Sequence, residues 1–338
     1  MERSLKAGRD TLTRWLIFAV LLLLPGCGGK NQRPQISSTP VATPIVVGTT
    51  PVPSGTPTPK NMVDSTAQRE LTMKQVAEAI GKARNRFPGN TGIYFIDVES
   101  NMSLDYDGDR QFESASLMKM VVIAELYRRI QMGKLELEQP LVLKQHQIVG
   151  GSGDLKGQEP GVAFPLRVLA EKMITQSDNT ATQMLTDLLT KEALNKSTKN
   201  LGLTGTTINR DIYDFAAIDR GQDNYTTAKD MALLMKQLAT EELAGSSDIH
   251  AILERQQRND MIGADFPKDV RVAHKTGELT GILHDVGVVY AGKGPYVLAM
   301  LSDGVTNKAE AIDTFAQLSK EILTLYQSHS PSPTPSEE

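Results

Sequence analysis

The chain has 338 residues, 40% of them hydrophobic and 22% charged, with a formal net charge of -4. That composition suits a globular protein of one large domain or two small ones, and the slight acidity argues against a nucleic-acid partner. The single cysteine, Cys27, excludes an internal disulfide framework and a cysteine-based zinc site; with five histidines and no His-Glu-x-x-His pattern, neither a metal nor another cofactor is expected.

Residues 1–14 are basic, with Arg3, Lys6, Arg9 and Arg14 against Glu2 and Asp10, and residues 15–24 form an uninterrupted apolar run. A bilayer span takes ~20 residues, so this shorter run reads as a signal peptide over 1–26. It ends Leu24-Pro25-Gly26-Cys27. This ending resembles a bacterial lipobox, which implies a lipid on Cys27, a membrane-anchored or secreted protein, and a location outside the cytoplasm. Residues 31–60 hold seven prolines, six threonines and three serines. Such a segment cannot form helix, and 28–64 is expected to be a disordered, extended tether. Residues 328–338 read as a similar tail.

The folded domain is expected over 65–327. Thr72 to Phe87 has helical periodicity, with Val76, Ala79, Ile80 and Ala83 on one face, and Pro88-Gly89 stops it. Gly92 to Val98 and Ser103 to Tyr106 read as paired strands. Ser116 to Met132 reads as a buried helix. Leu166 to Thr175, Thr180 to Leu189 and Thr227 to Leu238 read as further helices. A strand over Val270 to His274 leads into Lys275-Thr276-Gly277. Asp285 to Ala291 and Tyr296 to Ser302 flank Gly292-Lys293-Gly294 as a hairpin, and Asn307 to Tyr326 reads as a closing helix. Strands therefore lie at both ends and helices in the middle. The expected fold class is α+β: an antiparallel sheet formed from both ends of the domain, covered by the terminal helices, with an inserted all-helical subdomain.

Three motifs stand in one order: Ser116-Leu117-Met118-Lys119, Ser177-Asp178-Asn179 and Lys275-Thr276-Gly277. Residues three apart share a helix face, so Lys119 can reach the Ser116 hydroxyl. The apolar company of Lys119 predicts burial, which lowers an ammonium pKa and frees the amine to act as a base. Each motif also has an ordinary structural explanation. Ser-x-x-Lys fits any surface helix, Ser-Asp-Asn fits a helix N-cap before Thr180, and Lys-Thr-Gly fits a strand-end turn. The conjunction of all three is what carries the argument.

In these motifs residues 65–327 resemble the class A β-lactamases, active-site-serine enzymes that recognise penicillins. The resemblance implies Ser116 as the acylated nucleophile, Lys119 as its general base and Ser177 as a proton relay to the leaving group. It implies the backbone N–H groups of Ser116 and Glu278 as the oxyanion hole. Asn179, Lys275, Thr276 and Gly277 would bind a small β-lactam or a peptidoglycan-like acyl substrate, in a protein acting as a monomer.

One departure stands out. In the family a glutamate of the omega loop activates the deacylating water. Anchoring on Asn209-Arg210 and Thr226-Thr227 puts Ile212 at its position. Asp211 and Asp214 are the nearby carboxylates, either a shorter water activator or a partner for Arg210. Acylation with slow deacylation is therefore expected. A D,D-peptidase- or esterase-like activity and a non-catalytic surface module are the alternatives. His274 and His284 flank the third motif, where they would face each other across strands.

Overall fold

A computed structural model describes residues 60–327; the signal, Cys27, the tether up to residue 59 and the tail lie outside the described residues. In chain order the helices are α1 (Lys60–Arg86), α2 (Met118–Gln131), α3 (Leu166–Thr175), α4 (Asn179–Leu189), α5 (Lys191–Asn200), α6 (Phe215–Asp219), α7 (Ala228–Ala239), α8 (Ser246–Leu253) and α9 (Lys308–Gln327). The strands are β1 (Asn90–Asp97), β2 (Ser103–Tyr106), β3 (Gln111–Glu113), β4 (Pro140–Val142), β5 (Ala163–Pro165), β6 (Tyr225–Thr227), β7 (Arg271–Leu279), β8 (Ile282–Ala291) and β9 (Gly294–Asp303). α1 begins at Lys60, inside the stretch assigned to the tether, because the last proline of that stretch is Pro59.

The main sheet has five strands in the order β2-β1-β9-β8-β7, all antiparallel. It joins the two ends of the domain, as the strand pattern predicts. β1 and β9 are buried on both faces, which is why they read as nearly continuous apolar runs. One face packs against α1 and α9 through Val76, Ile80, Phe315 and Ile322 together with Phe95 and Tyr296 of the sheet. The other face carries Ala273, Val286 and Val288 into the larger core, shared with α2, α3, α4 and α7. The class is α+β.

α2 runs through that larger core. Ten consecutive residues, Met118 to Tyr127, are buried, so the helix is apolar all round rather than striped. Lys119 and Glu125 are its charged exceptions; Glu125 is fully buried and takes ion pairs from Arg128 and Arg129 at 2.7 and 2.9 Å. A 3-10 turn over Ala115–Leu117 leads into α2, and Ala115 has φ of 46°. Ser116 therefore stands on a strained turn just ahead of the helix, not in its first turn.

Candidate active site

The three motifs meet where α2, α4 and β7 converge. Lys119 Nζ lies 3.1 Å from Ser116 Oγ, 2.9 Å from Ser177 Oγ, 2.6 Å from the Ser177 carbonyl oxygen and 2.9 Å from Asn179 Oδ1. Ser177 Oγ also donates to Ser116 Oγ at 2.9 Å and accepts from Lys275 Nζ at 3.2 Å. Two hydroxyls and two amines thus form one continuous network. Asn179 Nδ2 donates to the Gly150 carbonyl at 3.0 Å, which fixes the amide's orientation.

Both lysines are fully buried. Burial, and secondly the Lys275 charge, hold the Lys119 ammonium well below its ordinary pKa; Asp178 opposes this. Burial lowers Lys275 to about 7, with Asp285 pulling it up and Arg258 pushing it down. An amine beside a serine hydroxyl, shielded from water and destabilised as a cation, is equipped to take the hydroxyl proton.

The second motif does two jobs. Asp178 is the N-cap of α4, accepting from Ala181 N at 2.8 Å, and it also accepts from Leu155 N at 2.9 Å. The capping explanation therefore belongs to Asp178, while Ser177 and Asn179 turn toward Lys119. Ser177 has φ of 54°, a conformation that a non-glycine residue holds at a cost.

The third motif is not a turn. Lys275, Thr276 and Gly277 lie inside β7, paired with Val286, Asp285 and His284 of β8. Alternation sends Lys275 to the helical face and Thr276 to the opposite face beside Asp285. Gly277 lies against the serine turn: an added Cβ would meet Leu117 at 3.3 Å and Ala115 at 3.4 Å. The small residue lets β7 approach Ser116 closely and sets the backbone of Glu278 beside it. The Glu278 side chain points away, paired with Arg258 and Lys308.

The two histidines do not face each other. His284 is opposite Gly277 and His274 opposite Gly287, so they occupy opposite faces of the sheet. His284 donates from Nε2 to the Glu113 carbonyl at 2.9 Å and accepts at Nδ1 from Ser302 N at 3.1 Å. It is a neutral imidazole, lowered to about 4 by burial, that ties the segment before Ser116 to the sheet. His274 lies 2.9 Å from Asp285 and 2.6 Å from Asn259 Oδ1, which anchors the segment carrying Arg258.

A cleft of about 170 Å³ opens onto Ser116 and is lined also by Asn179, Ile212, Tyr213 and Glu278. Asp211 and Asp214 are not among its lining residues. Asp211 pairs with Lys191 at 2.8 Å rather than with Arg210, and Asp214 caps α6 by accepting from Ala217 N at 2.9 Å. Arg210 instead pairs with the buried Asp223 at 2.8 Å, closing the base of the loop that carries Ile212. Two groups at the site carry no signal in the motifs: Arg258, whose charge bears on Lys275, and Glu113, a cleft carboxyl weakened as an acid by burial and by Asp223.

A family model, the beta-lactamase enzyme family, matches residues 72–326. The chain belongs to this family. It is a β-lactamase-like serine hydrolase. Among curated relatives, Beta-lactamase 3 of Bacillus cereus is 24% identical over 254 residues, covering 72% of this chain and 79% of the relative. The solved beta-lactamase of Sphaerobacter thermophilus is 28% identical with a TM-score of 0.68, covering 74% of this chain and 96% of that one. A mutant of PBP-A, solved as an acyl-enzyme complex with penicillin G, is 27% identical with a TM-score of 0.68, covering 75% of this chain and 96% of that one.

Proposed function

We propose that the protein is acylated at Ser116 by β-lactams and hydrolyses their amide, with deacylation the slow step. The observation that carries this reading is Lys119 Nζ, buried, 3.1 Å from Ser116 Oγ and 2.9 Å from Ser177 Oγ. Neutral Lys119 takes the Ser116 proton as Oγ attacks the β-lactam carbonyl carbon. The backbone N–H groups of Ser116 and Glu278 receive the developing oxyanion. The C–N bond then breaks, and Ser177 passes the proton from Lys119 to the leaving nitrogen. The charge of Lys275 receives the substrate carboxylate and Asn179 the amide of its acyl group, while Thr276, turned to the other face of the sheet, leaves that binding to its strand neighbours.

Releasing the ester needs an activated water. Ile212, in the cleft beside Ser116, has no proton acceptor. Asp211 and Asp214 are engaged elsewhere. Acylation therefore outruns hydrolysis. The non-catalytic alternative gains no support from the site, since a binding module has no use for a buried amine against a serine hydroxyl. A D,D-peptidase- or esterase-like substrate has no separate observation in its favour. On the pattern at residues 15–27 alone, the same proposal puts the enzyme outside the cytoplasmic membrane with lipid on Cys27.

Labelling with a fluorescent penicillin tests the reading. Covalent label that is lost in Ser116→Ala is the expected result; no label on the intact protein would refute it.

A further inference from the structure

We infer that this cleft selects substrates whose acyl group is apolar and aromatic, with Tyr213 as a specificity-determining residue; the inference rests on Ser116 being the acylated nucleophile. Among the described residues seven large hydrophobic side chains are exposed, and three of them, Tyr213, Ile218 and Leu279, line the cleft that holds Ser116. Single exposed apolar residues are ordinary on a protein surface, but a cluster of them at a reactive hydroxyl marks a binding surface. Ile212 extends it. The apolar groups come from two separate elements, the segment at 212–218 and the end of β7.

Tyr213 is held in place by two further features. Its φ is 61°, a left-handed conformation that an aromatic residue does not adopt without compensation. Its hydroxyl reaches the loop at Gly151, where φ is 79° and an added Cβ would overlap that hydroxyl and stand 2.8 Å from Asn179 Nδ2. Gly151 thus makes room for the tyrosine beside Asn179, the residue assigned to the substrate amide. An acyl group extending past that amide meets the Tyr213 ring and the Leu279 side chain. An aromatic group gains stacking and apolar burial there. A charged group set against these apolar side chains would lose water there.

Two penicillins that differ only in the acyl group, phenylacetyl and acetyl, test this. The readout is the second-order rate of Ser116 labelling. In the intact protein the phenylacetyl compound should react at least ~10-fold faster. That ratio should fall to about twofold in Tyr213→Ala and in Leu279→Ala, and persist in Tyr213→Phe, which keeps the ring. A ratio near one in the intact protein, or a ratio unchanged in both alanine variants, would overturn the inference while leaving Ser116 acylation standing. Failure of both compounds to label Ser116 would overturn the underlying reading instead.

Discussion

Ser116 Oγ and Lys119 Nζ stand 3.1 Å apart, one turn along the same chain segment, with the amine fully buried. Acylation depends on that amine being neutral. Lys119→Ala should cut the acylation rate by about 100- to 10,000-fold, the usual worth of a positioned general base. Stopped-flow labelling with a chromogenic β-lactam measures it, with circular dichroism as the check on folding. A loss under about threefold would remove Lys119 from the proton path.

The two lysines have opposite requirements during acylation: Lys119 neutral, Lys275 charged. The second-order acylation constant should fall on the acid side as Lys119 takes a proton. It should fall on the alkaline side as Lys275 loses its charge, from about 7 in the free enzyme. A bound substrate carboxylate favours the Lys275 ammonium, so the limiting rate at saturation should hold to higher pH. A pH profile of both constants checks this, and an alkaline limb unaffected by Lys275→Met would contradict it.

The same burial links stability to pH. Both ammonium groups have lower pKa values folded than unfolded. Between the folded value and the ordinary one the unfolded chain binds more protons, so stability rises with pH across that window. For Lys275 the window opens at about 7, and below it the full penalty of burying the charge is present. Urea midpoints at about pH 6.5 and about pH 9 should increase with pH, and the increase should be smaller in Lys275→Met.

Arg210 and Asp223 close the loop that carries Ile212, and both are buried. Asp223→Ala leaves the guanidinium unpaired there and should cost about 3–5 kcal/mol of stability. Calorimetry gives the loss, and limited proteolysis should cut first within residues 208–224. A neutral effect would mean the pair does not hold the loop.

Ile212→Glu should place a proton acceptor at a cleft position that now holds an apolar side chain. Ester hydrolysis should accelerate about 100-fold or more, with little change in the acylation rate. Single-turnover mass spectrometry of the acyl-enzyme resolves the two steps. Unchanged ester lifetime would mean that the block to deacylation lies elsewhere in the cleft.

Much of this was legible in the residues. The helix at Leu166–Thr175 and the strand at Ser103–Tyr106 follow their patterns to the residue, because each has one clear buried face. α5 escapes the pattern because its sequence is polar and only Leu194, Ser197 and Thr198 are buried. β7 continues past His274 for a functional reason: a lysine and a threonine are buried in mid-strand, which breaks any apolar alternation. The motifs located Ser116, Lys119, Ser177 and Lys275. They carried no trace of Arg258, Glu113 or Tyr213, whose places depend on long-range folding rather than spacing. The pairing of Arg210 with Asp223 was hidden in the same way, since Asp211 is nearer in sequence and turns to Lys191 instead.

The central claim, fast acylation of Ser116 followed by slow release, is tested most directly by a burst assay with a chromogenic cephalosporin. The account predicts a burst of one product per enzyme, a slow steady state, and acyl-enzyme on Ser116 persisting in the mass spectrum. Rapid linear turnover with no accumulated acyl-enzyme would contradict it.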